Sequence, residues 1–136
     1  MNQLIAQLLA IKHFAKDLHY AVHGEGFYGD HLFMDVIADP IDEQIDKIKE
    51  VCLLGSLPEG IRPLKSSEYE ILANTFYPEF EEENIAGDLK RLQQLIERTL
   101  QYVEGIEDLS RGSQSVIDEV AQHLQKVNGL LNLRNL

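Results

Sequence analysis

The chain has 136 residues, 44% hydrophobic and 26% charged, which suits one soluble domain with a single core spanning residues 1–136. Its formal net charge of −11, with twelve scattered Lys and Arg against 23 Asp and Glu, argues against a protein built to grip phosphate backbones. A lone cysteine, Cys52, excludes an internal disulfide and points to a reducing, cytoplasmic setting, and no apolar run approaches the roughly 20 residues that span a bilayer.

The opening MNQLIAQLLAIKHF lacks the basic start and small-residue cleavage site of a secretory signal. It reads instead as a helix. Leu4, Leu8, Ile11, Ala15, Leu18 and Val22 step by three or four, and the pattern predicts an end near Gly24. A second helix is predicted from Asp30, as N-cap, to about Leu54, with Phe33, Ile37, Ile41, Ile45, Ile48 and Cys52 on its apolar side. Buried on that side, Cys52 reads as a small hydrophobe. Pro58, Gly60 and Pro63 then mark a connection, and Ser67 to Glu70 fits a capping box opening a short helix, SEYEILANT. A third long helix follows Pro78, with Ile85, Leu89, Leu92, Ile96, Leu100 and Val103 as its stripe. After Ser110-Arg111-Gly112 a fourth carries Val116, Val120, Leu124, Val127 and Leu131. The expected fold is all-α: a ferritin-like four-helix bundle with a short helix in the long crossover between the second and third helices.

The second helix holds the chemistry. On a wheel, His31, Asp42, Asp35, Asp46, Asp39 and Glu50 fall within about 100° of one another, opposite the apolar set. A solvated acidic face is the bland explanation. Against it, Lys47 and Lys49 are the only cations seen near the ladder, and a histidine heading it has a reason as a transition-metal donor. His31 and Asp46 are separated by 15 residues, roughly 22 Å of helix, so they cannot share an ion within one chain. Asp46 and Glu50 can, and His19 can join His31 across the bundle. If two copies of the second helix pack antiparallel about a two-fold axis, His31 of one meets Asp46 and Glu50 of the other, twice over.

These residues resemble a known pattern. HYAVHGEGF is similar to the H-W-N-V-x-G-x-x-F signature of the Dps family of mini-ferritins, His31 and Asp35 match its H-x-x-x-[DE], and IDKIKE matches its I-D-x-I-x-E. The separations from His19 to His31, to Asp46 and to Glu50 are those of the family's inter-subunit ferroxidase centre. The resemblance implies metal ligands His19 and His31 from one subunit, Asp46 and Glu50 from its two-fold mate, and Asp35 as an assisting ligand. His23 falls at a variable position. His13 and His123 match nothing and are expected to be surface or packing residues, while Asp39 and Asp42 extend the ladder. Tyr20 stands where the signature has tryptophan, Val51 where arginine usually follows the last glutamate, and Pro40 lies inside the second helix, where Asp39-Pro40 could restart it.

The implied function is an iron-oxidising and iron-storing shell, a dodecamer that consumes Fe(II) with hydrogen peroxide or dioxygen and so limits oxidative damage. Lacking a basic tail, the chain is not expected to bind DNA directly, nor a membrane. The alternatives are a non-redox shell holding Zn(II) or Mn(II), and a structural helical bundle without ferroxidase chemistry.

Overall fold

In the computed structural model, which describes residues 1–136, the first apolar stripe winds into α1, Asn2–Ala21. Leu4, Ile5, Leu8, Ala10, Ile11, Phe14, Ala15 and Leu18 are all fully buried, covering more than one face of the helix. A helix apolar on most sides has to lie among others. Accordingly, α1 packs against the second, third and short helices of the chain.

The second predicted helix is three pieces: α2, Phe27–Ala38; α3, Ile41–Lys47; and a π-helical segment, Ile48–Leu54. It starts three residues before the expected Asp30. Gly26, at φ 76°, takes the cap position, a left-handed conformation that suits glycine. Asp30 lies within the helix, where the Arg134 guanidinium donates to both its oxygens at 2.8 Å. The break at Asp39-Pro40 follows from proline chemistry, since Pro40 has no N–H to give the Val36 carbonyl. Pro40 itself caps α3, while the Asp39 side chain turns away to Lys16, so Asp39 is not the cap the sequence suggested. Half-buried His123 donates from Nε2 to the Ile37 carbonyl at 3.0 Å, supporting the broken turn from the far side. The π segment ends on a Gly55 N–H bonded to the Glu50 carbonyl at 3.0 Å.

The short helix is α4, Ser66–Phe76. Its start lies two residues ahead of the expected box: Glu68 accepts from the Lys65 N–H at 3.2 Å. Buried Tyr69 anchors it, donating to Asn2 Oδ1 at 2.7 Å and accepting from the Leu64 N–H at 3.1 Å. The third long helix, α5, spans Ile85–Glu104 and begins only when Asn84 caps it, seven residues after Pro78. On either side of Pro78, Tyr77 and Phe80 meet Phe14 edge-on at 5.3 and 5.7 Å. Helix α6, Arg111–Arg134, opens on Ser110, whose hydroxyl accepts from the Ser113 N–H.

Side-chain contacts give the directions. His19 meets His31 and Lys12 meets Asp42, so α2–α3 runs antiparallel to α1. Cys52 meets Ser113, Lys47 meets Glu119 and Arg134 meets Asp30, so α6 runs antiparallel to α2–α3. Gln93 bonds to Asn132 and Asn135, fixing α5 against α6. The 55–84 crossover, with α4 lying on α1, carries the chain back so that α5 descends beside α1. Four long helical rods therefore surround one core, and no helix is long and apolar enough to cross a membrane.

Two consequences can be measured. Phe14→Ala removes the ring on which α1, Tyr77 and Phe80 converge, and urea unfolding should show a loss of about 3–5 kcal/mol. Burial lowers the pKa of His123 from 6.5, so the unfolded chain takes up its proton first as pH falls. The stability it contributes is complete above the unfolded value and is lost as pH drops through the folded one. The stability gap between wild type and His123→Gln should therefore shrink below pH 6.5; a gap constant from pH about 8 to about 5 would refute this assignment.

Candidate metal centre

His19 lies in the last turn of α1, where backbone carbonyls have no helical donor. His31 supplies one: its Nδ1 is 2.7 Å from the His19 carbonyl, and His19 Nδ1 is 2.7 Å from the His31 carbonyl. The two rings stack with centroids 3.6 Å apart and planes 22° from parallel. A carbonyl only accepts, so each Nδ1 carries the hydrogen. In a neutral imidazole the lone pair is then on Nε2. The reciprocal bonds thus fix both rings as the tautomer a metal ligand needs and leave two Nε2 atoms with no protein partner. Imidazole nitrogens left in this state are of the kind that bind transition metals. Tyr20, 80% exposed, lies edge-on to His19 with centroids 4.9 Å apart.

The acidic ladder is not uncompensated, as the second helix alone suggested. Lys16 reaches across from α1 to Asp35 at 2.7 Å and Asp39 at 3.2 Å, and Lys12 reaches Asp42 at 2.8 Å. Asp35 also lies 3.4 Å from His19 Nδ1. The Lys16 ammonium holds the Asp35 carboxyl below its ordinary pKa, and Asp35 raises Lys16 in return. A signal for this existed in the sequence. Lys12, Lys16 and His19 step by four and three, one position beyond the Ile11, Ala15, Leu18 stripe, and so form a basic edge along α1.

Asp46 and Glu50 differ from the rest of the ladder. Both are exposed, and neither side chain has a hydrogen bond or ion pair within the chain. Asp46 borders a cleft of about 200 Å³ between α1, α3 and α4, shared with Asp42, Lys49, Tyr69 and Glu70. Glu50 falls in the π segment, not on a regular α-helix as expected. The pair does not reach the imidazoles, and no three His, Cys, Asp or Glu side chains of one chain lie close enough to hold an ion.

The other histidines have separate structural partners. His13 pairs with Glu70 at 2.9 Å, tying α1 to α4; His23 bonds the Ala21 carbonyl at 2.9 Å in the turn; His123 supports the Pro40 break. Cys52 is buried against the Ser113 carbonyl, and burial pushes its thiol pKa up. One feature of α2 went unread in the sequence: Tyr28, Leu32 and Val36, spaced by four, are 64%, 47% and 44% exposed beside the ladder.

No protein-family model, no curated protein and no solved structure matches this chain. The geometry alone separates the carboxylates into two groups. Asp46→Asn and Glu50→Gln should leave the thermal midpoint at pH 7 unchanged, because neither side chain has a partner to lose, whereas Asp35→Asn should lower it by removing the closer of the two carboxylates paired with Lys16.

Proposed function

We propose that the chain is an iron-oxidising and iron-storing protein of the mini-ferritin kind, whose metal centre is completed by a second copy. One observation carries this reading. The single chain offers two matched half-sites, a paired set of free Nε2 donors at His19 and His31 and a pair of partnerless carboxylates at Asp46 and Glu50. Asp35 stands beside the imidazoles as the assisting carboxylate. An antiparallel contact about a two-fold axis brings the imidazoles of each copy to the carboxylates of the other and makes two equivalent sites. The exposed Tyr28, Leu32 and Val36 give that contact an apolar strip to bury. Assembly to a dodecamer, with a ferritin-like interior for mineral, follows from the resemblance to the Dps family.

In this reading Fe(II) is the substrate. The net charge of −11 per chain attracts it. Mixed imidazole and carboxylate donors suit it, and the anionic oxygens favour the ferric product. Two ferrous ions each give one electron to a hydrogen peroxide, whose O–O bond breaks; with two protons it leaves as two waters. Dioxygen is the other oxidant. The ferric product hydrolyses to oxide, and removing ferrous iron together with peroxide limits radical damage. The lone cysteine supports a cytoplasmic location, and the net charge of −11 supports chemical protection of DNA rather than contact with it.

A second reading has its own observation. Lys12 and Lys16 neutralise much of the ladder, as a structural bundle or a shell holding Zn(II) or Mn(II) without turnover would allow. Anaerobic Fe(II) mixed with peroxide, together with solution mass and metal analysis, separates the readings. We expect ferric absorbance to rise above the protein-free control in an oligomer, and His31→Ala with Asp46→Asn to abolish both the rise and bound iron. Metal retained without ferric absorbance leaves the non-redox shell, and a metal-free monomer leaves the structural bundle.

A further inference from the structure

Helices α4 and α5 both pack on α1 but hardly on each other, which leaves a groove over α1 between them. The groove opens a cleft of about 410 Å³, within the range of small-molecule sites. On α5, Leu95, Arg98 and Tyr102 step by three and four and so share one face. Leu95, Tyr102 and Phe76 of α4 are packed against the core, so the apolar walls are set before anything binds. Gln7 of α1, only 4% exposed, lies at the base. Its Oε1 accepts from Gln3 Nε2 at 3.4 Å, while its own amide N–H groups have no acceptor in the chain. A donor so little exposed is poorly served by water and is better satisfied by an acceptor in the cleft.

The cleft is also electrically distinct. The chain carries 23 Asp and Glu, yet of five main clefts this one alone has no acid in its lining. Its single charge is Arg98. The ion-paired arginines are Arg91 and Arg134, and neighbouring Glu97 lines a different cleft. Arg98 Nε donates to the Gln94 carbonyl at 3.5 Å, and its two terminal NH2 groups have no acceptor in the chain. A guanidinium offers donors only, in a planar fork that matches a carboxylate.

We propose that this groove binds a small monocarboxylate with an aromatic or branched apolar body. The carboxylate lies on Arg98 and the Gln7 amide, and the body lies between Phe76, Leu95 and the Tyr102 ring. An inorganic anion leaves the apolar walls wet, and an uncharged arene leaves Arg98 with water alone. A ligand with both parts uses both halves. The site shares no residue with the imidazoles or carboxylates of the metal centre, so it stands independently of the reading made there.

The probe is benzoate, titrated into the full chain at neutral pH and followed by saturation-transfer NMR of its ring protons. Binding should saturate with a Kd on the order of 1 mM, the strength of one exposed ion pair joined to a ring-sized apolar contact. Benzamide keeps the ring without the charge and acetate the charge without the ring; each should compete at least about tenfold more weakly. Arg98→Gln should weaken benzoate by about tenfold as well, with circular dichroism confirming the fold. Lys90→Gln, which removes the same charge from a different cleft, should leave the affinity unchanged. Binding that does not saturate, benzamide or acetate equal to benzoate, or Arg98→Gln no weaker than Lys90→Gln each overturns the proposal.

Discussion

The seam between α1 and α2 depends on two histidines that each hydrogen-bond the other's backbone. One bond of the pair closes an orphan carbonyl in the last turn of α1, and the other holds the His19 ring flat against its mate. A shift of either helix by one residue would break both bonds at once. The register they set then carries Lys16 to Asp35 and Asp39, and Lys12 to Asp42. Fold and site are therefore one constraint here: the contact that aligns the hairpin also decides which ring nitrogens are left for chemistry.

Pro40 divides what would otherwise be one acidic face. Before it, Asp35 and Asp39 answer to Lys16; beyond it, the chain resumes as α3 and then widens to a π-helical turn at Ile48–Leu54. Such turns are frequent at functional sites, and Glu50 lies in this one. His123 offsets part of the cost of the break by donating to the Ile37 carbonyl, so a histidine on α6 stabilises a defect in α2–α3. The ladder's two carboxylates without partners, Asp46 and Glu50, both lie past the break and are exposed.

Much of the architecture was legible because burial repeats on the helical period. The stripes Leu4 to Leu18, Val116 to Leu131, and Leu89, Leu92, Ile96 and Val103 are all buried, and Cys52 is buried with them. Ends were less legible. Asp30 had the chemistry of a cap, but its carboxylate is claimed by Arg134, 104 residues away, and Gly26 opens the helix instead. Glu70 suited a capping box and is used by His13, while Glu68 takes the role. In each case a long-range partner outcompeted the local one, and no window along the chain contains that competition.

The sequence by itself determined that the chain is all-helical, roughly where its four long rods lie, and that His31, Asp35, Asp46 and Glu50 lie opposite the apolar face of the second, because side-chain direction on a helix is fixed by position alone. Only tertiary structure decided which of those groups are already engaged. Charge compensation acts across helices through space, over a few ångströms that correspond to dozens of residues of chain. That is why the basic edge of α1 gained its meaning only when α1 was laid against α2, and why Asp46 and Glu50 emerged as the two acids of the ladder without an ion-pair partner.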